Sequence, residues 1–316
     1  MARFILRRAV VLVVTLVSVS FLAFLVPFLS GVDPARAIIR SRVADLAVDS
    51  DAAEALRVEL GLDQPLLLQY FDWLSHVLRG DLGLSFASRL PVADQIGSAL
   101  LVSATIAVTA LLLALALALP IGTVAALRQG RRVDGLVTFM TQSFVAIPEY
   151  WLAPVCILIF AVELGWLPSA GWTGVESLIL PAFVLSLRPL AYFSQVMRAS
   201  MIDVLQADYI TAARSRGLGI AQALLRHGLR NGILPVLTIF ALWLAGLLGG
   251  SVVVEVIFAI PGMGRLVYAA VINNDIPLLQ GSMICIVGLA IVINTAADLL
   301  YGILNPTVTV AGGATG

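Results

Sequence analysis

The sequence predicts an all-α polytopic membrane protein with six transmembrane helices. Of its 316 residues, 60% are hydrophobic and only 12% are charged, whereas soluble domains carry about 25% charged residues. The apolar residues form long runs, several of which exceed the roughly 20 residues that a helix needs to cross a bilayer. We therefore expect a multi-pass protein in a lipid bilayer. Its net charge of zero gives no electrostatic reason to expect a nucleic acid partner.

The basic residues restrict the chemistry, because all 19 of them are Arg. A P-loop places a Lys on the phosphates of its nucleotide, so this chain cannot contain that ATPase motif. If the protein belongs to an ATP-driven machine, the ATPase is another chain. Cys156 and Cys285 lie in separate apolar runs and show no metal-binding spacing. We expect neither a metal nor a cofactor in this chain.

The first transmembrane helix is predicted within residues 1–30. An uncharged run from Ala9 to Leu29 follows Arg3, Arg7 and Arg8. A cleavable secretory signal is the alternative, but the apolar core of such a signal is about 7–15 residues long. The greater length favours a retained helix whose N-terminus is cytoplasmic.

Residues 31–95 form the one long polar stretch, and we predict an extracytoplasmic helical segment between the first two transmembrane helices. One helix is expected from Asp49 to Leu60. A second opens at Pro65, repeats its apolar residues at helical spacing and ends at Gly80 and Gly83. It is predicted to be amphipathic and to rest on the membrane surface or on other helices. A binding role on the outer side and a purely stabilising lid both remain open.

The core of the chain, residues 96–304, contains the other five predicted spans. They are Ile96–Leu127, Gly135–Val162, Leu178–Val204, Gly232–Phe258 and Leu278–Leu304. A re-entrant helix is expected over Leu266–Ile272, and residues 305–316 read as a disordered tail. In the fifth span, small residues are expected to let helices pack closely, namely Gly246, Gly249, Gly250 and Ser251.

Three charges inside these spans are candidates for the lining of a pathway. Glu149 belongs to an Ile-Pro-Glu break in the third span, and Arg188 lies deep in the fourth. Charges at such positions are costly unless they face a cavity or a partner. Glu149 could instead lie at the membrane interface or bind a neighbouring helix. Either Glu149 or Glu255 could pair with Arg188, whereas Arg198 is expected to snorkel towards the cytoplasm.

The distribution of Arg predicts the orientation. Three short segments on one side carry three, three and five Arg, with Arg198 counted, against Arg265 alone in the short loops of the other side. The long segment 31–95 is left out of this count because long segments translocate largely regardless of their charge. Short cytoplasmic loops are enriched in Arg and Lys. Six spans then leave both termini, and the loop over residues 205–232, in the cytoplasm.

Within that loop, Asp208–Pro235 combines charge with helical patterning. A helix is predicted from Asp208 to Arg216, a hinge at Gly217 and Gly219, and a second helix from Ile220 to Asn231. In the second helix, Leu224, Leu225 and Leu229 are expected on one side, opposite Gln222, Arg226 and Arg230. This shape suits a knob presented to a partner protein.

Ala212-Ala213 followed by Gly217 resembles the EAA loop of ABC-type import permeases, the cytoplasmic segment that docks into the ATPase subunit. The form DYITAARSRG…LLRHGLRNGILP is similar to the dipeptide, oligopeptide and nickel branch of that family, although Thr211 stands where the general motif has Glu. The PGMGRL…DIPLLQG pattern of Pro261–Gly281 and the segment Leu60–Phe86 resemble the same branch.

The resemblance implies a type I ABC importer permease that carries dipeptides, oligopeptides or a related small solute. It implies a bacterial inner-membrane location, a second homologous permease, two ATP-binding subunits or one fused ATPase that bind ATP and Mg, and an extracytoplasmic substrate-binding protein. It also implies an ATPase-coupling role for Asp208, Tyr209, Thr211, Ala212, Ala213, Arg214, Arg216 and Gly217.

Other functions remain as alternatives. Importers of nickel chelates, glutathione and tetrapyrroles share this architecture. An ion-coupled secondary transporter would need acidic groups at mid-membrane, for which Glu149 is the one plausible residue. A membrane enzyme is disfavoured because His76 and His227 lie in predicted loops on opposite sides, without a catalytic or metal-binding motif.

Overall fold

A computed structural model describes residues 2–30, 54, 58 and 63–304 of the chain. Within these residues every named element is helical, and β-type pairing is confined to an isolated bridge between Leu84 and Pro91. The predicted all-α class is thereby confirmed. The tail 305–316, and the helix predicted over Asp49–Leu60 except for residues 54 and 58, lie outside the described residues.

Twelve helices are numbered here in chain order over the described residues. They are α1 (Ala2–Ser30), α2 (Leu66–Leu78), α3 (Val92–Leu127), α4 (Arg132–Ala146), α5 (Glu149–Glu163), α6 (Glu176–Leu205), α7 (Asp208–Ser215), α8 (Ile220–Gly232), α9 (Leu234–Gly250), α10 (Val252–Ile257), α11 (Met263–Ile272) and α12 (Ile276–Leu304). The later part of α5 and the middle of α8 are wound as π-helix.

Three to five of these elements have the length and composition to span a membrane. In the described part of the chain, α3, α6 and α12 qualify as single helices. The pairs α4–α5 and α8–α9 qualify only when each is taken as one bent span, with bends of 95° and 42°. The apolar stretch described in α1, Val10–Val26, is shorter.

The third predicted span is interrupted where the sequence indicates. Ile147 and Pro148 adopt extended conformations, with ψ angles of 119° and 138°. Proline disfavours helix in the residue before it, which explains the end of α4. The result is the 95° bend between α4 and α5.

The predicted fifth span, Gly232–Phe258, is wrong as one continuous helix. Helix α9 ends at Gly250, and α10 begins again at Val252. Two successive Gly residues are poor helix formers. At the break, the Ser251 hydroxyl donates to the Glu255 carboxylate at 2.6 Å.

The chain divides into two compact units, and the first comprises Met1–Val102 and Pro261–Val292. Its core joins the start of α3 to α11 and α12 and consists of Val92, Ile96, Ala99, Met263, Ala270 and Leu278. Helix α2 packs on α1 through Tyr70, whose hydroxyl lies 2.8 Å from Ser20 Oγ. The predicted helix after Pro65 is confirmed, and it ends before Gly80 and Gly83, which have φ angles of +81° and +77°.

Asp275, which lies just before α12, joins this helix to residues 85–87 of the same unit by hydrogen bonds. Its side chain is 1% exposed and accepts four hydrogen bonds. The donors are the Ser85 hydroxyl at 2.5 Å and the backbone amides of Phe86, Ala87 and Leu278 at 3.1, 3.2 and 3.3 Å. One carboxylate thus caps the start of α12 and fixes the turn before α3.

The second unit, Ser103–Ile260 and Ile293–Gly316, is built around α6. Gly122 of α3 lies against α6 so closely that a Cβ there would sit 2.6 Å from the Ser194 carbonyl oxygen and 2.7 Å from Met197 Cβ. Helix α4 is held to α6 by a bidentate ion pair, in which Arg198 Nε and Nη2 lie 2.5 and 2.7 Å from the Asp134 oxygens. Arg198, which the sequence indicates can snorkel, thus also has an internal partner.

Candidate functional sites

The segment from α7 through α8, here called the knob, has the helix–hinge–helix form that the sequence predicts. Gly217 follows α7 with a φ of +92°, and its amide donates to the Arg214 carbonyl at 2.9 Å. Residues with side chains rarely adopt this left-handed conformation, whereas glycine does so readily. The chain can therefore reverse at Gly217 and enter α8 at Ile220.

The knob is packed tightly on the C-terminal end of α6. A Cβ at Gly228 would lie 2.7 Å from Val204 Cγ1, and one at Gly232 would collide with Met201. The Asn231 side-chain amide donates to the Tyr209 hydroxyl at 3.3 Å and so joins the two helices of the knob. Because interiors packed this closely transmit displacement, a force on the knob is passed to α6.

Seven of the eight residues with a predicted coupling role lie on the surface of the knob. The exposed residues are Asp208, Tyr209, Thr211, Ala212, Arg214, Arg216 and Gly217. Ala213 is fully buried together with Ile210, so it packs the knob and is not accessible to a partner. All eight belong to one continuous element, and a coupling role stays a prediction for the exposed ones.

The pattern predicted for α8 needs one correction. Leu224 is 1% exposed as expected, but Leu225 is 63% exposed. The π-helical turn over Leu224–Gly228 is wider than an α-helical turn. Consecutive residues of a helix with 3.6 residues per turn already lie roughly 100° apart, so Leu225 points away from the side that buries Leu224.

The second unit also contains a cleft of about 370 Å³ between α5, α6 and α9. Its lining residues are Glu149, Arg188, Leu242, Trp243, Gly246, Leu247 and Gly250. Glu149 is half-buried and Arg188 is exposed, and their opposite charges attract each other. Within the described residues, neither forms an ion pair within 4.0 Å or a side-chain hydrogen bond. Two of the three predicted intramembrane charges thus share one cleft.

Glu255, the third of these charges, lies elsewhere in the same unit. It is fully buried, and its Oε1 accepts hydrogen bonds from the Ser103 and Ser251 hydroxyls, each at 2.6 Å. Its carboxylate joins α10 to α3 and does not line the cleft. Its contacts are those of a structural anchor.

The small residues of α9 do not have the environment that the sequence suggests. A Cβ at Gly246 or Gly250 would meet no atom of the described residues within 4 Å, so neither glycine serves a close contact with another described helix. Both line the cleft instead. The nearby Trp243 ring packs on Tyr192 of α6 with 5.5 Å between ring centroids.

Two polar clusters were not found by sequence reasoning, namely Asp134 with Arg198 and Asp275 with Ser85. Each joins residues that are far apart in the sequence, so no short spacing reveals them. Asp275 carried one usable signal, since an Asp followed by Ile-Pro at a helix start is a typical N-cap arrangement.

Comparison with known proteins places both parts of the chain in one family. Residues 118–310 match the family model of the binding-protein-dependent transport system inner membrane component. Residues 1–109 match the model of the N-terminal region of these membrane components.

Individual relatives match along nearly the whole chain. The glutathione transport system permease proteins GsiC of Escherichia coli (strain K12), Escherichia coli O6:H1 (strain CFT073) and Shigella flexneri serotype 5b are each 37% identical to it over 308 residues. The matched region covers 98% of this chain and 99% of each relative. The chain therefore belongs to the family of inner-membrane components of binding-protein-dependent transport systems, and it is a permease subunit of an ABC importer.

Proposed function

We propose that this permease forms half of the pathway of an ATP-driven importer for dipeptides, oligopeptides or a related small solute such as glutathione. The observation that carries the proposal is the combination of a likeness to glutathione permeases over 98% of the chain with a knob packed on the helix that lines the charged cleft. The likeness to glutathione permeases indicates the class of cargo. The packing of the knob on α6 supplies a mechanical connection between the ATPase and the cleft.

Coupling is proposed to run along α6. The knob contacts α6 near Met201 and Val204, and Arg188 lines the cleft about 24 Å further along the same helix at 1.5 Å per residue. When ATP-binding subunits pull on the exposed face of the knob, α6 would tilt as a rigid rod and change the access to the cleft. This is a rigid-body switch about helix interfaces.

The membrane arrangement is proposed to comprise six spans with both termini in the cytoplasm. The spans would be α1, α3, α4–α5, α6, α9 and α12, with residues 31–95 as an extracytoplasmic segment and 205–232 as the cytoplasmic loop. The concentration of Arg in the short loops of one side supports this orientation.

The proposal requires partners. A second, similar permease would complete the pathway, and one fused or two separate ATPase chains would bind ATP and Mg, since this chain has no Lys for a P-loop. An extracytoplasmic binding protein would deliver the cargo to 31–95 and to the segment around α11. No covalent chemistry is assigned to this chain.

Affinity purification of the chain from its native membrane, followed by reconstitution in liposomes, tests the proposal. Co-purification of a similar permease and ATP-binding subunits, with ATP-dependent uptake of peptides delivered by a binding protein, is the expected result. A chain that purifies alone and transports without ATP would overturn the coupling mechanism, and an imposed proton or sodium gradient would then identify an ion-coupled transporter.

A further inference from the structure

The chain satisfies some of the charges in its predicted spans internally and leaves two others open to a cleft. Asp134 and Arg198 bind each other in a bidentate pair, and Glu255 accepts hydrogen bonds from two serines. Glu149 and Arg188 instead both line the cleft, with neither a side-chain hydrogen bond nor an ion pair within 4.0 Å among the described residues. Charges within a membrane-spanning region that lack an internal partner mark sites for an external one.

The position of Arg188 strengthens this reading. It lies near the middle of α6, between the buried residues Ser186 and Pro189, and yet it is exposed. Tyr192 stands one turn further along on the same face and is 43% exposed. One face of α6 thus carries a cation that lines the cleft and an exposed tyrosine whose ring contacts Trp243 of the cleft lining.

The opposite wall is suited to a small solute. Gly246 and Gly250 leave open space where side chains would stand, and Trp243, packed on Tyr192, adds an apolar and aromatic surface. The volume of about 370 Å³ lies near the lower end of the 300–1,000 Å³ range of small-molecule sites. The cleft therefore has room beside α9 for the backbone or a small side chain of a bound solute.

We propose that this cleft selects zwitterionic solutes, with Glu149 binding an ammonium group and Arg188 binding a carboxylate. A lone cation would be attracted by Glu149 and repelled by Arg188. A lone anion would be attracted by Arg188 and repelled by Glu149. A short peptide with free termini satisfies both charges, and discrimination by unmatched charge is a general source of specificity. The inference rests on the proposed import function and adds that the permease itself recognises the charged termini of its cargo.

The experiment uses the complete transporter in liposomes with its binding protein. The probes are short peptides and glutathione with free termini, together with N-acetylated and C-amidated counterparts, and uptake is quantified by mass spectrometry. Each initial rate is divided by the concentration of peptide-loaded binding protein, so that selection by that protein is removed. ATP hydrolysis is measured in the same vesicles.

Four variants are compared with the wild type. Arg188→Gln removes the cation, Arg188→Lys keeps it, and Glu149→Gln removes the anion. Glu176→Gln is the matched control, because Glu176 is an exposed carboxylate in the first turn of α6 and away from the cleft.

We expect Arg188→Gln to lower the uptake of free peptides about ten-fold, as for the loss of one charge-assisted hydrogen bond, while ATP hydrolysis continues. Its preference for free over amidated peptides should disappear, whereas Glu149→Gln should lose the preference for free over acetylated ones. Arg188→Lys should retain most uptake, and Glu176→Gln should match the wild type.

Three results distinguish a failure of the selection role from a failure of the proposed import function. Unchanged uptake and preference in both neutralised variants would overturn the selection role and leave the importer assignment standing. A parallel fall in the uptake of all peptides, with preferences intact, would show that the two charges are structural and would also overturn it. Absence of ATP-driven peptide uptake in the wild type would instead refute the proposed function.

Discussion

Removing the Asp275 carboxylate should destabilise the first unit more than any other single change to an acidic side chain described there. Asp275→Ala leaves the Ser85 hydroxyl and three backbone amides without their acceptor. An unsatisfied buried donor costs about 1–3 kcal/mol. Two of the amides are only part-buried and can bind water, so we expect a total loss of about 3–6 kcal/mol in the free energy of unfolding.

Graded variants make this estimate testable by thermal unfolding of the purified complex in detergent. Ser85→Ala removes the 2.5 Å bond and the acceptor of the Ser88 amide, and we expect it to cost about 1–3 kcal/mol. Asp94→Asn is the control, because Asp94 is exposed on the first turn of α3. The decrease in unfolding temperature should therefore be largest for Asp275→Ala, smaller for Ser85→Ala and smallest for Asp94→Asn. If Asp275→Ala unfolds at the temperature of the control, the capping argument is refuted.

Three further predictions concern the second unit. Gly217→Asp should insert normally but lose ATP-driven uptake, because a φ of +92° lies beyond the left-handed region open to residues with side chains. Gly219→Ala, at a φ of −63°, should transport normally, and normal uptake by both variants would contradict the coupling role of the hinge. Gly122→Ala should reduce the amount of folded protein recovered by size-exclusion chromatography, since its Cβ would overlap α6, and full recovery would show that the two helices can separate without cost. Asp134→Asn should lower stability by about 1.5–3 kcal/mol through the loss of its charge-assisted bonds to Arg198; an unchanged unfolding temperature would show that this ion pair adds nothing.

Sequence patterns were sufficient for features that depend on neighbours along the chain. The helix after Pro65, the break before Glu149 and the turn at Gly217 all occur where the sequence predicts them. Helix start and stop signals and the left-handed preference of glycine act within a few residues, and for that reason they can be read without a fold.

Features that depend on residues far apart in the chain could not be predicted in this way. The bond between Ser85 and Asp275 spans 190 positions, and the sequence offered Glu149 and Glu255 as equal partners for Arg188. The fold placed Glu149 in the cleft with Arg188 and Glu255 between two serines. It likewise left Gly246 and Gly250 facing open space, although small residues in a span usually indicate helix packing.

The sequence by itself determined that this protein is a helical membrane protein with a basic, hinged knob, because composition, helical period and turn chemistry are local properties. Its assignment as a permease came from the resemblance of its motifs to a known family. Only the tertiary structure decided which charges neutralise each other and which face the cleft. Those outcomes depend on how helices distant in the chain pack and on which groups that packing removes from solvent.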